Sequence, residues 1–224
     1  ETFSDIFFFM HMLQHMLLLI AGPLVLLGAP ILPLLWALPR GLRRDVGLLL
    51  VPRGALHLFF NALTHPAVAA IVYVIVIGGW HVPQFYDAAQ GETPIHYVEH
   101  LSFLGGSLLY WWPVVHPFGG RRRLGFGTGI FYLAPGLIEQ NAIGMILTFV
   151  DRPLYQTYAL VPRLWGISAL FDQQLAGGVM GLVGAFENVI AMSAMLVQFL
   201  GSEDAKSEAV SPLSPRDPRQ VDVR

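Results

Sequence analysis

Cysteine is absent from the 224 residues. That removes disulfides, thiolate metal sites, cysteine nucleophiles and redox dithiols together. Any metal must therefore bind through histidine, methionine, carboxylate or backbone. Charge is scarce as well: Asp, Glu, Lys and Arg make up 12% of the chain, against about 25% in a typical soluble domain. There is no basic stripe and no nucleic-acid-binding motif, which excludes a nucleic-acid partner. No phosphate-cradling loop, nucleophile elbow or Ser/His/Asp arrangement occurs, so the chain reads as a non-enzyme. It opens Glu1-Thr2-Phe3 with neither an initiator Met nor a basic stretch. That is not a signal peptide, and the start reads as truncated or processed.

What fills the space is apolar. Hydrophobic residues are 54% of the chain and the mean hydropathy is +0.58, with uncharged runs too long for a soluble core. The pattern predicts an all-α, polytopic membrane bundle of five transmembrane helices, near residues 6–37, 57–80, 96–115, 126–150 and 166–200. Helices are required because the runs lack period-2 alternation and only helices or closed barrels satisfy the backbone in hydrocarbon. Pro23, Pro30 and Pro33 are expected to kink the first helix or end it early. Residues 201–224, rich in Ser, Pro and alternating charge, read as a disordered cytoplasmic tail.

The cations set a predicted orientation. Arg40, Arg43, Arg44 and Arg53 follow the first span, Arg121, Arg122 and Arg123 follow the third, and Lys206, Arg216, Arg219 and Arg224 lie in the tail. Only Arg152 and Arg163 occupy the opposite side. The positive-inside rule then places the N-terminus outside and the C-terminus in the cytoplasm of a bacterial plasma membrane. Trp80 and Trp165 fall at outer ends, and Trp36, Trp111 and Trp112 at inner ends, as interfacial aromatics do.

With that orientation, five of the eight histidines converge on the outer leaflet: His11, His15, His81, His96 and His100. His57, His65 and His116 lie toward the other side. His11-Met12-Leu13-Gln14-His15 and His96-Tyr97-Val98-Glu99-His100 share the pattern H-x-x-[Q/E]-H, which puts both imidazoles of each pair on one helix face. Two such pairs at one depth can form a four-imidazole site, with His81 as a fifth candidate. Imidazole suits Zn, Cu, Fe and Ni, and the thioethers of Met10, Met12 and Met16 lean the choice toward copper. Glu99 and Asp172 are candidate outer-shell acceptors that would orient a ligand imidazole.

Other readings stand beside this one. Histidines at a membrane interface often just keep a polar edge in water. His96 to His100 also matches the H-x-x-E-H of inverted zinc peptidases, but the third carboxylate is lacking at the rim, with Glu139 predicted near mid-membrane. Paired histidines can hold haem, although i,i+4 pairs suit two axial ligands poorly. A metal-free scaffold is the third reading. Glu139-Gln140-Asn141 and Glu187-Asn188, deeper in, read as an interhelical clamp before a proton or ion relay. Gly177, Gly178, Gly181 and Gly184 form a small-residue face for close helix packing.

Several blocks also carry a resemblance. His11-Met12-Leu13-Gln14-His15-Met16-Leu17-Leu18-Leu19, followed by Gly22-Pro23 and Leu27-Gly28-Ala29-Pro30, resembles the CtaG family of cytochrome c oxidase assembly factors. Trp80-His81-Val82-Pro83 with Tyr86-Asp87 is similar to its second block. His96-Tyr97-Val98-Glu99-His100 with Tyr110-Trp111-Trp112-Pro113-Val114 resembles its third, and Asp172-Gln173-Gln174-Leu175-Ala176-Gly177 its last. The blocks run in order over roughly residues 9 to 195. The resemblance implies a non-enzymatic membrane factor that matures a haem–copper oxidase, commonly supposed to deliver copper, with oxidase subunits or copper chaperones as partners. The positions it carries over are His11, His15, His81, His96, Glu99, His100 and Asp172. Two departures stand out: family members generally carry one or two spans before the first histidine block, and Gly181 stands where an aromatic is common.

Overall fold

The structure, a computed structural model, describes residues 3–28, 37–42, 55–115 and 124–210. Pro30, Pro33, Trp36, Arg43, Arg44, Arg53, His116, Arg121, Arg122, Arg123 and the tail from 211, all named above, lie outside the described residues. The principal helices are α1 (Phe8–Gly28), α2 (Ala55–Leu63), α3 (Pro66–Trp80), α4 (Pro83–Gly91), α5 (Thr93–Val115), α6 (Phe126–Phe149), α7 (Gln156–Leu160) and α8 (Ala169–Val210). No strand occurs among the described residues.

Five spans are not all reproduced. Three helices are long and apolar enough to cross a membrane: α1, α6 and α8 up to Asp204. A fourth qualifies if α3 and α4, bent by 72° at their junction, count as one. The expected span 57–80 is broken where Pro66 begins a new helix after His65, since proline has no N–H to continue the previous one. That leaves α3 with 15 residues, about 22 Å, short of the roughly 30 Å hydrocarbon core. α5 has the length, 23 residues, but His96, Glu99, His100, Ser102 and Ser107 lower its apolarity. At the other end, α8 continues helical to Val210, so the first ten residues of the expected disordered tail belong to that helix.

Packing explains the sequence pattern. α8 lies along α6, α1 crosses α5 and α8, and α3 rests on α5 and α6. Met12, Met16, Leu19, Tyr73, Ile77, Phe103, Tyr110, Leu133, Leu147 and Met180 fill the interior. Leu17, Ile75, Leu101, Phe131, Ile138, Leu182 and Val197 face outward as an exposed apolar surface, which fits a membrane protein and not a soluble one.

Two close approaches depend on glycine. At the α6–α8 crossing, a Cβ on Gly177 would lie 2.5 Å from the Gly144 carbonyl oxygen, so the backbones touch directly. Gly181 and Gly184 face the same helix, whereas Gly178 faces open space. At the α1–α5 crossing, a Cβ on Gly22 would overlap the Ser107 side chain. The reason for that approach is the next residue. Pro23 has no N–H for the Leu19 carbonyl four residues back, and α1 nevertheless runs on to Gly28. The Ser107 hydroxyl donates to that Leu19 carbonyl instead, replacing the missing intrahelical bond from across the interface.

Candidate metal centre

The site begins with the anchoring of α1. Its first N–H groups have no intrahelical acceptor. Phe8 N and Phe9 N each donate to the Asp172 carboxylate, both at 3.0 Å, and Arg163 Nη1 lies 3.3 Å from the same group. Asp172 is fully buried. An acid on α8 thus caps α1, with charge-assisted bonds that also complement the helix dipole. One turn further on, His11 and His15 project from the same face, ring centroids 4.2 Å apart.

α5 supplies the facing half. Thr93-Pro94 opens it, proline being well suited to a first helical turn. Glu99, Phe103, Gly106, Ser107, Tyr110 and Trp111 form its buried stripe. His96 and His100 lie beside Glu99, ring centroids 4.2 Å apart. Glu99 Oε2 is 3.9 Å from His11 Nε2 and Oε1 is 3.8 Å from His15 Nε2. One donor atom from each of His11, His15, Glu99 and His100 lies within 4.8 Å of every other. His11 and His15 are 1% exposed and Glu99 0%.

The donor set fits a metal ion. A tetrahedral ion with ligands at about 2.0–2.2 Å needs donors about 3.3–3.6 Å apart. The His–Glu separations exceed that by a few tenths of an ångström, which side-chain rotation supplies. Both His15 nitrogens, His96 Nε2 and both Glu99 oxygens are buried without a hydrogen-bond partner among the described residues. Orphaned donors and acceptors this deep are costly, and an ionised carboxylate among neutral imidazoles is costlier still inside a membrane. A cation bound between them offsets both costs.

The remaining candidates fall around this group. His96 stacks on His11 at 5.2 Å and is half-buried, at the edge of the cluster. His81 sits apart at the end of α3. Its Nδ1 is 2.7 Å from the Ile77 carbonyl, an acceptor only, so Nδ1 carries the proton and Nε2 keeps its lone pair. Its ring faces Phe103, which His15 also contacts. Glu99, expected as an outer-shell acceptor, lies among the donors themselves. Asp172 touches backbone and arginine rather than an imidazole. Met12 and Met16 are in the apolar core with Phe8 and Leu19. Deeper, Gln140 Nε2 donates to Tyr73 Oη at 2.6 Å, tying α6 to α3, while Glu139 packs against Gly78 and Glu187 lines an apolar cavity of about 610 Å³ with Trp111.

The sequence model of the cytochrome c oxidase caa3 assembly factors (Caa3_CtaG) matches residues 1–202. The chain belongs to this family. Searches of the curated proteins and of the solved structures return no match.

In this caa3 assembly factor Gln90, Tyr155 and Tyr158, which sequence reasoning missed, join Tyr86 and Asp87 of the second block on the His11 side of the site. Tyr86 on α4 meets its ring at 5.7 Å, and Tyr86 packs on Tyr155 at 4.2 Å. Tyr155 donates to the His81 carbonyl at 3.0 Å and Tyr158 to the Ser4 carbonyl at 2.6 Å. Burial raises both the Tyr155 and Tyr158 hydroxyls above the ordinary phenol value, so they remain proton donors. Asp87 on α4 caps α7 through Thr157 N at 3.2 Å and Thr157 Oγ1 at 2.9 Å. Gln90 Nε2 lies 3.1 Å from His11 Nε2. The signal was the i,i+4 spacing of Tyr86 and Gln90 on a helix begun by Pro83, in a stretch too polar to register as a span.

Proposed function

We infer that this protein carries copper as cargo for the maturation of a haem–copper oxidase, binding it through His11, His15, Glu99 and His100. The observation that supports this is the convergence of those four donors from two helices, three of them buried, with the His15 nitrogens and the Glu99 oxygens lacking a hydrogen-bond partner among the described residues. Membership of an oxidase assembly family supplies the destination. The asymmetric distribution of Lys and Arg supports a site on the outer face of a bacterial plasma membrane, with the C-terminus in the cytoplasm.

Delivery requires binding that is firm yet exchangeable. A thiolate cage would close around the ion, whereas imidazoles with a half-buried edge allow a partner's ligands to replace them one at a time. His96 stands at that edge against both His11 and His100. It receives the ion first from a copper chaperone and passes it last to an oxidase subunit.

The test is elemental analysis of copper and iron on detergent-purified protein loaded with Cu(I) and desalted. Near-stoichiometric copper is expected, lost in His15→Ala/His100→Ala with membrane insertion unchanged. Iron in place of copper would move the site to haem. Oxidase co-purification with neither metal would make the protein a scaffold.

A further inference from the structure

Gln90, half-buried near the end of α4, lies against the His11 nitrogen that faces Glu99. Gln90 Nε2 is 3.1 Å from His11 Nε2, while that same His11 nitrogen is 3.9 Å from Glu99 Oε2. The other end of the carboxamide, Oε1, is 3.5 Å from the Tyr158 hydroxyl. The carboxamide either donates to a lone pair on His11 Nε2 or, turned over, accepts from an Nε2–H, and in both arrangements that nitrogen has no lone pair free for an ion. A lone pair that accepts a hydrogen bond cannot bind an ion at the same time.

We propose that Gln90 is a gate residue: its carboxamide occupies the ligating nitrogen of His11 in the metal-free protein and must swing away for His11 to bind. This rests on reading His11, His15, Glu99 and His100 as a metal site. Its neighbours make the motion local. Gln90 is the penultimate residue of α4, a helix fixed at its other contacts by the buried Tyr86 and by the Asp87 cap on α7. The side chain turns about its own bonds while Tyr86 and Asp87 hold the backbone. When the ion leaves, the amide returns to the same nitrogen and competes with rebinding. Gln90 therefore weakens retention and favours hand-over, which is what a delivery protein needs from one of its ligands.

The measurement is Cu(I) affinity by competition with a chromogenic chelator, with the rate of transfer to excess chelator followed by stopped flow, on the full chain in detergent. Gln90→Leu keeps the bulk and removes the hydrogen bond. It is expected to tighten binding about two- to tenfold, the worth of one net hydrogen bond, with slower transfer to the chelator. Gln90→Glu, which offers a carboxylate in the amide's place, is expected to tighten it further and guards against a folding defect peculiar to leucine. A wild type that binds copper, with both variants binding equally or more weakly, would overturn the gate and leave the metal site intact. A wild type that binds no copper would overturn both.

Discussion

The cap that Asp172 places on α1 can be tested to a number. Asp172→Ala removes two bonds of 3.0 Å to Phe8 N and Phe9 N and strands Arg163 beside them. Charge-assisted hydrogen bonds contribute about 1.5–3 kcal/mol each and a lost helix cap costs about 0.5–2 kcal/mol. Because the two bonds share one carboxylate, a loss of about 3 kcal/mol is expected. Asp172→Asn keeps the shape and one acceptor but turns its amide toward the other N–H, so about 1–2 kcal/mol is expected. For a chain of this size about 1 kcal/mol moves the Tm by about 2–4 °C. Alanine should therefore lower the Tm in detergent by about 6–12 °C and asparagine by roughly half as much. Hydrogen exchange should accelerate at Phe8 and Phe9, one turn before His11, and Asp172→Asn with Arg163→Gln should recover part of the asparagine loss by removing the stranded charge. A shift under about 2 °C for alanine, with exchange at both amides unchanged, would refute the cap.

Ser107→Ala leaves the Leu19 carbonyl without its donor and should destabilise by about 1–2 kcal/mol. Pro23→Ala restores an N–H to that carbonyl and should suppress the defect in the double mutant, measured by thermal unfolding; failure to do so would sink the compensation argument. Gly177→Val forces a side chain onto the Gly144 backbone and should cost about 3 kcal/mol or more, read as loss of monodisperse protein on size-exclusion chromatography. Gly178→Val, on open space one residue away, should leave the elution profile unchanged, and equal behaviour of the two would contradict the crossing.

The extent to which the fold could be read depended on how local its determinants were. α1, α6 and α8 announced themselves as long apolar runs; the expected bounds match α6 to a residue, whereas the first expected span ran to 37 against Gly28 for α1 and the last stopped ten residues before Val210. The run 57–80 misled because hydropathy averages over a window and does not register that Pro66 starts a new helix. α4 was missed for the opposite reason, being short and mixed in composition. At the site, the i,i+4 spacing correctly placed His11 with His15 and His96 with His100 on shared faces. What brings the two faces together is the seat of Gly22 on Ser107, a pairing 85 residues apart that one sequence does not reveal. The same gap hid the role of Asp172, expected as an outer-shell acceptor for an imidazole and found holding the first N–H groups of α1.

That seat has a mechanical consequence. Gly22 and Ser107 act as a fulcrum for α1 against α5, and the candidate donors stand well up the lever. His15 is 7 residues and His11 is 11 residues from Gly22, about 10 and 16 Å along the axis at 1.5 Å per residue. A tilt of about 5° at the fulcrum carries His15 roughly 0.9 Å and His11 roughly 1.4 Å from α5. The difference between a closed coordination shell and an open one is of that size. A tilt of α1 about this seat would thus part the candidate donors of α1 from those of α5 in a fixed order, His11 before His15.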